Sequence, residues 1–102
     1  MNILNHIKHL VIGRKIIFTK KARCEMVQDN LNQDMVIESI VYAPDIYKKI
    51  RSLNPATKER EYLYIIKGLS LDGTLIYSKG KLEKNEKGVE TFYVFISSKK
   101  SF

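Results

Sequence analysis

The apolar positions change their period once along the chain, near Pro44. Before it they recur at steps of three and four. Ile3, Leu4, Ile7, Leu10 and Val11 make one helical stripe over residues 2–12, and Gly13 follows as a natural stop. Residues 14–18 read as a short linker or strand. Thr19 stands where an N-cap belongs, ahead of a helix from 20 to about 29. Asn32 caps a further helix with Asp34 in its first turn. That helix carries Val36, Ile37, Ile40 and Val41 on one side and ends before Pro44.

After Pro44 the period is two. Residues 45–53 alternate, with Tyr47, Lys49 and Arg51 on one face and Ile46, Lys48 and Ile50 on the other. Asn54-Pro55 opens a loop through Lys58-Glu59-Arg60. Residues 61–82 read as an antiparallel hairpin turning at Leu71-Asp72-Gly73. On its second arm Leu75, Tyr77, Lys79 and Lys81 share one face, and Ile76, Ser78, Gly80 and Leu82 the other. A turn at residues 85–88 leads to a last strand, 90–98. There Tyr93, Phe95, Ser97 and Lys99 are expected on one face, and Phe92, Val94, Ile96 and Ser98 on the other. A tight turn centred between Glu86 and Lys87 would set Tyr77 near Phe95 to Ser97 and Lys79 near Val94, with Lys99 a step or two beyond Tyr77. The order of elements predicts an α+β fold in which two to three N-terminal helices pack on a four-stranded antiparallel sheet. The opposite sheet face is left for a ligand.

Composition sharpens this picture. The 102 residues fit one domain spanning 1–102, with 44% hydrophobic residues and enough chain to bury a core. Net charge is +7, and it is uneven. Residues 1–44 hold six lysines and arginines against four acids; residues 45–102 hold twelve against seven. The basic surplus travels with the strands, which points to a polyanionic partner such as RNA, or to an acidic protein. The single cysteine, Cys24, excludes an internal disulfide and fits a cytoplasmic protein. No apolar run has the length of a membrane span, so no membrane partner is expected.

Cleaving RNA requires a group to take the 2′-hydroxyl proton, positive charge on the phosphate oxygens and an acid for the leaving oxygen. The eleven acids are scattered, mostly among lysines, and give no metal-binding pattern. His6 and His9 are spaced to share a metal but lack further ligands, so they read as solvated helix-flank residues. Neither a metal nor another cofactor is expected. Lysines, arginines and tyrosines remain, as electrostatic stabilisers or, with perturbed pKa values, as proton carriers.

At this point the chain resembles the RelE/ParE superfamily of small bacterial toxins, and within it the MqsR-type mRNA interferases and related small toxin-like domains. The segment from Asn5 to Ile40 is similar to their paired-helix half. Asp45-Ile46-Tyr47-Lys48 resembles the D-x-Y-K of their first strand, Ile76-Tyr77-Ser78-Lys79 the V-Y-x-K of the third, and Ile96-Ser97-Ser98-Lys99 the strand-end lysine of the last. The resemblance implies the toxin of a type II toxin–antitoxin system, a metal-independent endoribonuclease acting on mRNA and held by a cognate antitoxin protein. Carried over by position, Lys48, Tyr77 and Lys99 form the catalytic set. Lys49, Arg51, Arg60, Lys79, Lys81, Tyr93 and Lys100 are the accompanying RNA-binding candidates. Alternation leaves open whether Lys48 faces the substrate or its neighbours Lys49 and Arg51 do. The competing reading is a non-catalytic module that binds nucleic acid or protein through the same basic face, with Tyr77 or Tyr93 stacking on bases.

Overall fold

The computed structural model describes residues 2–101. Three helices come first, α1 (Ile3–Ile12), α2 (Lys20–Gln28) and α3 (Gln33–Val41), and each begins at a side-chain cap. Asn2, Thr19 and Asn32 accept from the backbone N–H of Leu4, Ala22 and Met35, at 2.8, 3.1 and 2.8 Å. These bonds satisfy donors that a helix N-terminus otherwise leaves open. Four strands follow Pro44, namely β2 (Lys48–Leu53), β3 (Arg60–Leu69), β4 (Leu75–Lys84) and β5 (Glu90–Lys100). The first of them starts at Lys48, three residues later than alternation suggested.

The sheet has five strands rather than four and is mixed rather than antiparallel. Residues Ile16–Phe18 form β1, which pairs parallel with β5 and gives the order β1-β5-β4-β3-β2. The short link between α1 and α2 is drawn in because Lys15 accepts from the Tyr93 N–H and Thr19 donates to the Phe95 carbonyl, both at 3.0 Å.

The helices cover one face only. Leu4, Ile7, Leu10 and Val11 of α1, Ala22 and Met26 of α2 and Val36 and Ile40 of α3 are buried with Tyr64, Ile66, Ile76, Tyr93 and Phe95 of the sheet. Two strand glycines allow the close approach. A Cβ on Gly68 would overlap the Ser39 carbonyl of α3, and one on Gly80 would lie 2.5 Å from the Tyr93 ring. Tyr93 lies edge-on to Phe95, which in turn stacks on Phe18 of β1 at 4.6 Å.

β5 carries two bulges against β4. Lys84 pairs with Glu90 but Glu83 with Phe92, and Gly80 pairs with Phe95 but Lys79 with Ser97, so Thr91 and Ile96 are extra residues. Each shifts the register by one. Tyr77 therefore lies opposite Lys99, and Lys79 opposite Ser97, instead of the partners a regular turn would give. The second bulge also moves Ser97 and Lys99 to the face away from the helices, while Tyr93 and Phe95 stay beneath them.

The exposed edge of β5 beyond β1 is closed by side chains. Thr19 Oγ1 donates to the Ile96 carbonyl, Glu25 Oε1 accepts from the Ser98 N–H and Asp29 Oδ2 from the Lys100 N–H. Glu25 and Asp29 are one helical turn apart, matching the two-residue strand step between donors that point the same way. Helix α2 thus stands in for a neighbouring strand.

Candidate nucleic-acid interface

Pairing register decides which basic residues share the helix-free face. Lys48 of β2 pairs with Ile65, Ile65 with Lys79, and Lys79 with Ser97, making one row across four strands. The next row joins Lys67, Tyr77 and Lys99. Lys81 pairs with Val94 in the row on the other side. Pairing puts Lys48 on the face of Tyr77 and Lys79. Lys49 and Arg51 pair with Tyr64 and Tyr62 on the helix side, where Lys49 Nζ lies 4.1 Å from the Tyr62 ring centroid.

The remaining candidates divide in the same way. Arg60 pairs with Leu53 on the helix side, and Lys100 pairs with Ile76, also on that side. Tyr93 is fully buried beneath the helices, so the expected base-stacking role does not hold. Its placement follows from the parity it shares with Phe95, whose apolar neighbours claim both rings. Lys81 is on the open face but is tied up, with Nζ 3.4 Å from Glu61 and 3.8 Å from Glu83.

What remains is a compact group. Lys99 Nζ lies 5.4 Å from the Tyr77 ring centroid. Lys67 Nζ lies 4.1 Å from the Tyr47 ring, and Tyr47 is largely exposed at 63%. Among the described residues, Lys48, Lys67, Lys79 and Lys99 form no salt bridge. Ile65 and Val94 on this face are buried although they are outside the main core. Burial, and secondarily the charge of Glu25, raises the Tyr77 phenol above its ordinary value. At neutral pH it is a hydrogen-bond donor.

Sequence reasoning passed over Lys67, Tyr47, Ser97 and Glu25. Lys67 could have been found, since it is the one charged residue in the run from Tyr62 to Leu69. Glu25 carried no such signal. It is 72 residues from Ser97, whose hydroxyl donates to Glu25 Oε1 at 2.7 Å.

His6 also departs from expectation. Rather than being solvated, its Nε2 is buried and lies 3.5 Å from Glu90 Oε1 at the end of β5. That neighbourhood opens on a cleft of about 550 Å³ between the β2–β3 loop and the β4–β5 turn. The cleft is rimmed by Glu59, Glu61, Glu83, Glu86 and Glu90, with fewer cations among them, and suits an anion poorly. No three metal-ligating side chains come together among the described residues, and no helix there is long and apolar enough to cross a membrane. Comparison with protein-family models, curated proteins and solved structures finds no match to this chain.

Proposed function

We propose that the helix-free sheet face binds single-stranded RNA and cleaves it without a metal, in the manner of a RelE- or MqsR-type mRNA interferase. The observation that carries this reading is the set of four unpaired lysines around one half-buried tyrosine. Lys48, Lys67, Lys79 and Lys99 surround Tyr77 on a face that no helix covers. The four lysines stand on four successive strands, β2, β3, β4 and β5, and neighbouring strands lie about 4.8 Å apart, so together they present positive charge across the sheet to a phosphate chain. Tyr77 and Lys99, directly opposite each other, can reach one phosphate together, with Tyr77 donating a hydrogen bond and Lys99 stabilising the charge that develops.

In that role the protein is the toxin of a toxin–antitoxin pair, acts in the cytoplasm and has a cognate antitoxin as its partner. A basic, open face of this kind also fits an acidic segment of that antitoxin, which would block the nuclease by occupying it. The second reading, a binding module without catalysis, uses the same residues and differs only in what Tyr77 does.

Inducible expression in bacteria tests the proposal. Growth arrest with loss of mRNA, relieved by the product of a neighbouring reading frame, is the expected result. Normal growth at confirmed soluble expression would remove the toxin reading, and RNA binding without cleavage would leave the binding module.

A further inference from the structure

Within the nuclease reading, on which this inference rests, we propose that Glu25 is the general base, the carboxylate that takes the 2′-hydroxyl proton of RNA bound at Tyr77 and Lys99. Tyr77, whose phenol is raised by burial and by Glu25, keeps its proton at neutral pH. A nuclease that uses it as the acid needs a separate proton acceptor. Glu25 brings a carboxylate from outside the sheet to Ser97, two residues from Lys99.

The geometry is specific. Ser97 lies opposite Lys79 and two residues from Lys99 on the open face. Its hydroxyl and the Ser98 N–H both donate to the same oxygen of Glu25, Oε1, at 2.7 and 3.2 Å. The other oxygen, Oε2, has no hydrogen-bond partner and no salt bridge among the described residues. One oxygen is thus fixed and the other left to accept a proton. The other acids brought to this face, Glu61 and Glu83, are held by Lys81 at its far end. Asp29, the next acid on α2, is engaged by the Lys100 N–H at 2.8 Å.

In the step this implies, Glu25 Oε2 removes the 2′-hydroxyl proton while the 2′ oxygen forms a bond to the adjacent phosphorus. The bond from phosphorus to the 5′ oxygen breaks, and that oxygen takes a proton from the Tyr77 hydroxyl. The products are a 2′,3′-cyclic phosphate and a 5′-hydroxyl end. Water returns a proton to Tyr77 and accepts the one from Glu25, so the cycle consumes no other reagent.

Glu25 also caps the β5 edge, and Glu25→Gln separates the two roles. The amide oxygen of glutamine accepts the same two hydrogen bonds but cannot serve as the base. General-base help is worth roughly 10²–10⁴-fold, so the single-turnover cleavage of an oligoribonucleotide should fall by about that factor in E25Q, with RNA binding and thermal melting close to wild type. Cleavage by E25Q at the wild-type rate would overturn the assignment and leave the nuclease reading standing. Absence of cleavage by the wild-type protein itself would overturn that reading instead. If E25Q melts early, Glu25→Asp keeps a carboxylate, and the two are compared at equal folded fraction. Faster cleavage by E25D supports the base, and equal rates overturn it.

Discussion

Tyr77 and Lys99 stand opposite one another across β4 and β5, the ammonium 5.4 Å from the phenol ring centroid. They meet because two extra residues in β5, Thr91 and Ile96, slide that strand along its neighbour. The contact is a cation–π arrangement, worth roughly 0.5–1 kcal/mol at exposed sites.

Removing either partner should separate catalysis from binding. Tyr77→Phe or Lys99→Ala is expected to lower RNA cleavage by about two orders of magnitude or more, the size of lost acid–base or oxyanion help. Affinity should change far less, because Lys48, Lys67 and Lys79 remain. Single-turnover kinetics and a filter-binding titration on the same variants check this. Loss of affinity without loss of rate would identify a docking surface.

Binding of single-stranded RNA should weaken steeply with salt. Four phosphate contacts, from Lys48, Lys67, Lys79 and Lys99, give a log–log slope of about −2.8 on the single-strand rule of about −0.7 per contact. Each Lys→Ala change among the four should reduce the slope by about 0.7. Lys81→Ala should leave it almost unchanged, since that ammonium is already shared between Glu61 and Glu83. Fluorescence anisotropy over a salt series measures all six proteins, the wild type included.

Gly68→Ala should be among the most damaging small substitutions in the chain. The added methyl would run into the Ser39 carbonyl, which is helix backbone and cannot rotate away. Overpacking of this kind costs about 1–3 kcal/mol and occasionally more. For a domain of this size the melting temperature should fall by roughly 4–8 °C per kcal/mol. A variant that melts like the wild type would mean that α3 is not seated as tightly as described.

Alkaline pH should destabilise the fold through its tyrosines. Burial raises the Tyr93 phenol, with a smaller contribution from Tyr64, and Tyr64 and Tyr77 are also raised from the ordinary value of 10.0. Groups raised on folding add stability that is fully present below the unfolded value, near pH 10. It is lost as pH climbs through the folded values. Tyr93→Phe should move the alkaline unfolding midpoint upward. It should cost nothing at neutral pH, because the Tyr93 hydroxyl is buried without a partner and such a group costs about 1–3 kcal/mol. In Glu25→Gln the Tyr77 phenol should ionise at lower pH than in wild type, a shift readable by ultraviolet difference titration.

Local chemistry was enough for the elements. Asn32 and Thr19 marked helix starts, Asp72-Gly73 and the Asn85–Gly88 turn marked hairpin tips, and the stripe of Leu4, Ile7, Leu10 and Val11 marked a buried helix face. These signals lie within a few residues of one another, so they survive in the sequence alone. The alternation on β4 likewise placed Tyr77 and Lys79 on the open face.

Tertiary pairing decided the rest, because it depends on residues far apart in the chain. Nothing near Ile16 says that it will lie beside Tyr93, and a three-residue strand has too little pattern to declare itself. The bulges at Thr91 and Ile96 show only in the pairing of β5 with β4, and they alone bring Lys99 opposite Tyr77. A one-residue slip also reverses which face a side chain takes, which is why Tyr93 lies beneath the helices and Ser97 on the opposite side of the sheet. Glu25 shows the limit most clearly. As one charge on a helix it has no special mark, and only the packing of α2 along the open edge of β5 carries its carboxylate to the basic face.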